Sequence, residues 1–308
     1  MLEKIRRRIR ALREALHAAA ECRALAHQPG GLLAIAPSMR ASAWRRTFSL
    51  GPFQPEAWAR RAEHTAALRL NAIVASGFRQ DAGGWLWQWD DFILRLPRGE
   101  KRECDVIVND LREVCFEAVY ARHFPFGRAV ADGDVILDCG ANIGAFAIWA
   151  AKQGPRVQVH AFEPEPENFA TLVRNVELNG LCSQITCHQV GLGDREQRLA
   201  VQRCPAGFTM HTLGGADAAG VRVATIDQMR RELGLNRCNM IKMDIEGAER
   251  VALAGAKDTL TQLAPCLSIA AYHLASDPFV LPLIVKRANV RYHVIVSADG
   301  HLFAFGPT

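Results

Sequence analysis

The 308-residue sequence contains no uninterrupted run of 18 apolar residues, so no membrane-spanning helix is expected. Its nine cysteines include no Cys-x-x-Cys pair. An odd count without framework spacing argues against a disulfide scaffold and for a reducing compartment. Cys104, Cys139, Cys187 and Cys266 sit in or beside apolar runs, where a free cysteine behaves as a small hydrophobe. The N-terminus is charged but no apolar stretch follows it, so no signal peptide is expected and the chain reads as cytoplasmic. No base-stacking motif accompanies the basic residues, which leaves nucleic acid without a reader in this chain.

At 49% hydrophobic, the chain can bury a full core, and one large domain with an appendage is the expected organisation. The net charge of +5 is unevenly spread. Lys4, Arg6, Arg7, Arg8, Arg10 and Arg13 crowd the first turns, while Leu2, Ile5, Ile9, Leu12 and Leu16 recur at alternating intervals of three and four. This predicts an amphipathic helix over residues 2–27, ended by Pro29-Gly30-Gly31. Such a helix is a solvated face, a contact for a membrane surface or partner, or one half of a homodimer.

Residues 30–55 read as a linker with little regular structure, and 56–76 as an alanine-rich helix closed by Gly77. Trp85 to Leu96 breaks at Asp90-Asp91 into a hairpin. Trp85, Trp87 and Trp89 share one face of its first strand, as core packing or as a platform for a sugar ring. Residues 106–123 form a helix carrying Glu117 and Tyr120. Then comes the stretch that organises the rest, Val135-Ile-Leu-Asp-Cys-Gly-Ala-Asn-Ile-Gly144 and an apolar helix after it. Glycines in the first strand-to-helix turn let a ligand approach the backbone. About 20 residues on, strand 157–162 ends on Glu163-Pro164, where an acid can accept hydrogen bonds from two ribose hydroxyls. Asn142 stands where a dinucleotide site needs bare backbone. The departure points to a nucleoside ligand without a pyrophosphate, with S-adenosylmethionine the obvious candidate.

Helix 167–179, strand 185–190, strands 198–204 and 221–224 around a glycine-rich insertion (205–220), and helix 225–233 follow. Then come strand 240–244, strand 267–272, helix 278–288 and a closing antiparallel hairpin, 292–296 and 302–305. Alternating strand and helix means an α/β fold: a doubly wound, mostly parallel seven-stranded sheet with a C-terminal antiparallel hairpin and a helical and β-hairpin N-terminal extension. The extension is taken as residues 1–104, for oligomerisation or as a substrate cap, and the catalytic domain as 105–308. Asp138, Glu163, Asp194, Asp244 and His273 fall at the carboxyl ends of five strands, where such sheets bind ligands.

Asp138-Cys-Gly-Ala-Asn-Ile-Gly144, Phe162-Glu-Pro164, Asn168, Asn175-Val-Glu-Leu-Asn-Gly180 and Ile241-Lys-Met-Asp-Ile-Glu-Gly-Ala-Glu249 together resemble the FkbM family of S-adenosylmethionine-dependent methyltransferases. The similarity covers about residues 105–305. It implies methyl transfer, commonly to a hydroxyl of a sugar, glycan or polyketide-like product. It also implies that Gly140 approaches the methionine part of the cofactor, Glu163 holds the ribose, and Leu192 and Asp194 flank the adenine. Asp138, Ala141, Asn142, Gly144, Pro164, Asn168 and Asp244, with Glu117 and Tyr120 from the preceding helix, complete the expected cofactor set.

Methyl transfer to a hydroxyl needs an in-line acceptor and a base or metal. His273 is the candidate base, because imidazole titrates near working pH. Asp244 orients the reacting groups or caps a helix, Glu246 stands beside it, and His211 reaches in from a mobile glycine-rich loop. Asp244, Glu246 and His273 could instead ligate Mg²⁺ or Mn²⁺, but no tight motif favours a metal. Ala271-Tyr272 stand where the family often has an acid before the histidine. Transfer to nitrogen or carbon of a peptide or natural product is the alternative chemistry; no Asn-Pro-Pro-Tyr-type motif points to a nucleobase amine. A cofactor-binding scaffold recruited through the basic helix is the alternative outside enzymes.

Overall fold

The computed structural model describes residues 33–35, 71–97, 104, 107, 108, 110–116, 120, 130–203, 210–216, 220–297 and 300–306. The expected helix over 2–27 and Glu117 lie outside them. In chain order the elements begin with β1 (Leu33–Ile35), β2 (Phe78–Asp81), β3 (Gly84–Trp89), β4 (Phe92–Arg95) and a π-helical turn, Arg112–Phe116. There follow β5 (Val135–Cys139), α1 (Ala145–Ala151), β6 (Gln158–Phe162), α2 (Pro166–Leu178), β7 (Ile185–His188) and β8 (Gly191–Leu192). Next are β9 (Gln197–Arg203), β10 (Met210–Ala216), β11 (Val221–Ala224), α3 (Ile226–Glu232), β12 (Met240–Met243), α4 (Glu249–Ala254) and α5 (Lys257–Gln262). The last are β13 (Cys266–Ala270), α6 (Asp277–Ala288), β14 (His293–Val296) and β15 (His301–Phe305). All seven strands of the expected mostly parallel sheet (β5, β6, β7, β12, β13, β14 and β15) are present; helices separate β5, β6 and β7 and separate β12, β13 and β14, while β15 follows β14 directly.

The chain divides into two compact units. In the unit of Phe53–Gly191 and Gln197–Val223, β5, β6 and β7 pair in parallel, in that order. Every residue of β5 is buried, as a parallel strand covered on both faces requires. β2, β3 and β4 form an antiparallel sheet around Trp87, which is wholly buried and donates from Nε1 to Val74 O at 2.8 Å. Trp87 is therefore core, while Trp89 is 43% exposed.

This small sheet is fastened to α2 by two asparagines one helical turn apart. Asn175 Oδ1 accepts from Arg95 N (2.7 Å), and its Nδ2 donates to Arg95 O and Ile143 O. Asn179 Oδ1 accepts from Ile93 N, and its Nδ2 donates to Ile93 O. Asn175 is fully buried. Its replacement by alanine strands several backbone groups, so the expected loss is about 2–4 kcal/mol of unfolding free energy, measurable by urea denaturation.

The sequence reading of 205–220 as a glycine-rich loop needs correction. Met210–Ala216 is a strand, antiparallel to β9 with Met210 opposite Arg203, and the register shifts between Leu213 and Ala216, beside Gly214-Gly215. β2 was likewise not expected.

The other unit contains Leu192–Glu196, Ala224–Thr308 and β1. β12 and β13 run parallel, β15 is antiparallel to both β13 and β14, and β1 adds in parallel to β14. Within the supposed linker, Leu33–Ile35 is thus a strand whose pairing comes from the far end of the sequence. Thr225 caps α3 by accepting from Gln228 N at 3.0 Å. No helix among the described residues is long and apolar enough to cross a membrane.

Candidate active site

In the unit that holds β5 and β6, the chain turns sharply after β5. Gly140, Asn142 and Gly144 all have positive φ (80°, 50° and 96°). Gly140 N and Ala141 N donate to Phe162 O, which ties the turn to the end of β6. Glu163 follows directly. Its carboxylate accepts from Asn142 N (2.9 Å) and from Glu165 N (3.0 Å), so backbone donors hold an acceptor-only group at the strand end. Glu165 in turn caps α2 by accepting from Asn168 N at 2.7 Å. The glycine turn and the acid expected to hold a ribose are thereby brought together.

Asn142 Oδ1 and Asn168 Oδ1 are buried without a hydrogen-bond partner among the described residues. Buried carbonyl oxygens of this kind call for donors, and the hydroxyl and ammonium groups of S-adenosylmethionine are donors. The residues present therefore fit the cofactor. Gly144 has a further reason to be glycine: a Cβ there would stand 2.8 Å from Leu172 Cδ1. Asp138 is buried on β5, and Tyr120 is buried with its ring edge-on to Phe146 of α1 at 5.6 Å. Pro164 comes close to Gly191, within 3.6 Å of a Cβ built there.

The other unit holds the acidic and imidazole groups. Leu192 is buried, whereas the Asp194 side chain is 40% exposed and pairs with Arg195 at 3.5 Å. Beyond β12, Glu246 (φ 56°) and Gly247 (φ 98°) take two successive left-handed conformations, strained for Glu246. This reversal carries Glu249 back beneath Ile245, whose N–H donates to Glu249 Oε1 at 2.9 Å. His273, just beyond β13, meets four groups. Its Nδ1 lies 2.9 Å from the same Glu249 oxygen, its Nε2 lies 3.4 Å from Asp244 Oδ1 and 3.4 Å from Glu246 Oε2, and its ring packs on Tyr272. The Tyr272 hydroxyl donates to Asp244 Oδ2 at 3.4 Å.

Burial opposes a charge on His273. The hydrogen bond to Glu249 and the carboxylates of Glu249, Asp244 and Glu246 outweigh it and raise the imidazole pKa to about 9.

Asp244, Glu246 and His273 are thus brought together as the sequence suggested. Glu249 is the member that the sequence reading overlooked. It closes the Lys-x-Asp-x-Glu-Gly-x-Glu stretch, but an acid in the first turn of a helix has an ordinary explanation in the helix dipole. It also supplies the acid that Ala271-Tyr272 fail to provide. Donor atoms of Asp244, Glu249 and His273 lie within 4.8 Å of one another, a spacing that could hold a cation. Glu249 and His273, however, already engage each other directly. His211 stands on β10 opposite Gln202, on a strand rather than the mobile loop expected of it.

The family model for the methyltransferase FkbM domain matches residues 138–292, half of the chain. A protein named Methyltransferase 1 from Beauveria bassiana is 29% identical over 193 residues, covering 55% of this chain and 74% of its own length. The 31-O-demethyl-FK506 methyltransferase FkbM of Streptomyces tacrolimicus is 29% identical over 180 residues, 48% of this chain and 67% of its own. The hexuronic acid methyltransferase AglP of Haloferax volcanii is 23% identical over 160 residues, 52% of this chain and 64% of its own.

Proposed function

The chain belongs to the FkbM-domain methyltransferases, and on that premise we propose that it methylates a hydroxyl of a sugar, glycan or glycosylated natural product. Family membership implies S-adenosylmethionine as the donor, whose sulfonium supplies an already activated methyl group. The proposal rests on the cluster of His273 with Asp244, Glu246 and Glu249. An amine attacks without losing a proton first, but a hydroxyl gains little nucleophilicity unless a base takes its proton. In this reading His273 takes that proton at Nε2 and Asp244 orients the acceptor. Glu163 holds the ribose, and the glycine turn faces the methionine end. Relatives named as methyltransferases of 31-O-demethyl-FK506 and of a hexuronic acid support a hydroxylated small molecule or sugar as acceptor. Residues 1–104 are assigned to acceptor capping or oligomerisation, and residues 1–27 to contact with a membrane surface or partner.

The test is a panel of neutral and acidic sugars, oligosaccharides and polyhydroxylated macrocycles, each incubated with the protein and methyl-labelled donor. The products are located by fragmentation mass spectrometry. Label on oxygen is the expected result. Label on nitrogen or carbon replaces this reading with the alternative chemistry. Cofactor binding without transfer to any acceptor, together with loss of partner recruitment on deleting residues 1–30, replaces it with a scaffold.

A further inference from the structure

We propose that Glu249 is the positioning residue for His273, fixing the imidazole with Nδ1–H on the buried carboxylate and Nε2 turned toward Asp244 and Glu246. This deepens the reading of His273 as the base and rests on it.

Glu249 is fully buried at the first position of α4. Its Oε1 already accepts the Ile245 N–H at 2.9 Å, so that oxygen acts as an acceptor and the contact with His273 needs a proton on Nδ1. Nδ1 therefore keeps its proton in both ionisation states, and Nε2 is the nitrogen that gains or loses one. The carboxylates facing the ring come from the turn after β12 (Asp244, Glu246) and from α4 (Glu249). Tyr272, from the ring's own segment, reaches Asp244.

The neighbouring residue on α4 grips the far end of the same loop. Arg250 Nε donates to Asp277 Oδ1 (2.7 Å) and its Nη2 to Ser276 Oγ (2.6 Å), while Asp277 Oδ2 accepts from Leu274 N (2.8 Å). Two consecutive residues of α4 thus clamp residues 273–277 at both ends. The Glu246-Gly247 turn, left-handed at both residues, joins β12 to α4 just ahead of them. The acid for the histidine arrives from the neighbouring strand's helix instead of from the residue before it.

The experiment follows the imidazole nitrogens of ¹⁵N-histidine-labelled full-length protein from about pH 6 to about pH 10.5, with His273 assigned through His273→Gln. In the wild type, the neutral ring is expected as the Nδ1–H tautomer. In Glu249→Gln, with unchanged S-adenosylhomocysteine binding as the check on folding, the His273 titration is expected to move down by about one unit or more, and the neutral ring to become a tautomer mixture. A wild-type ring with its proton on Nε2 overturns the proposal even if the variant does not fold. So does an unmoved titration with an unchanged tautomer in a folded Glu249→Gln. Methyl transfer that survives His273→Gln removes the base reading instead and leaves the tautomer result standing.

Discussion

At a pH above 9, where the imidazole is neutral, His273→Gln is expected to lower methyl transfer by about two to four orders of magnitude while leaving cofactor affinity unchanged. The wild-type pH profile carries the sharper form of this prediction. A base must be neutral to take a proton, and His273 titrates at about 9 because Glu249, Asp244 and Glu246 outweigh the penalty of burial. At pH 7 only about 1% of the imidazoles are then neutral. Below pH 9 the rate should climb about tenfold per pH unit, and it should level off above that. Removing one of the carboxylates facing Nε2, by Asp244→Asn or Glu246→Gln, lowers the imidazole pKa and moves the plateau toward acid. The check is the initial rate with saturating donor and acceptor at several pH values. A rate that stays flat between pH 6.5 and 9 would falsify the assignment of His273 as base.

Glu163→Ala is expected to weaken S-adenosylhomocysteine binding by about two to four orders of magnitude. Two hydrogen bonds from ribose hydroxyls to a carboxylate are worth roughly 1.5–3 kcal/mol each. The same carboxylate holds Asn142 N and Glu165 N, so its loss also frees the turn after β5 and the approach to α2. Isothermal titration separates these effects. In Glu163→Gln, the side-chain carbonyl can still accept a hydrogen bond but the charge is gone, and an intermediate affinity is expected. Wild-type affinity in both variants would place the ribose elsewhere. The thermal midpoint of each variant, taken without ligand, reports the loss of backbone bracing by itself.

The parts of this molecule that local patterns determine were legible before its structure. β5 reads as a buried strand because Val135-Ile-Leu is an apolar run ahead of a glycine turn, and α1 as a helix because an apolar segment of helical length follows that turn. Asp244 and His273 were placed together because an acid and a histidine ended two strands of one fold class. What escaped depends on distant partners. Three residues, Leu33–Ile35, carry too little pattern to mark a strand, and β14 lies more than two hundred residues away. β10 hides in a stretch whose glycines signal a loop, and it becomes a strand through pairing with β9. Glu249 was hidden by a sufficient local explanation. Its contact with His273 appears only once the two left-handed residues have folded the chain back. Asn175 and Asn179 could be matched to a family signature, but their hydrogen bonds run to a strand some eighty residues earlier.

Those two asparagines have an effect beyond holding α2 and β4 together. A peptide edge with unsatisfied amides is a template on which another chain can add a strand. At Ile93 and Arg95 both the N–H and the C=O that face away from β3 are taken by side-chain amides. The helix thereby acts as a false final strand. It ends the small sheet by chemical mimicry, and the peptide groups of Ile93 and Arg95 are no longer offered to the strand of another chain.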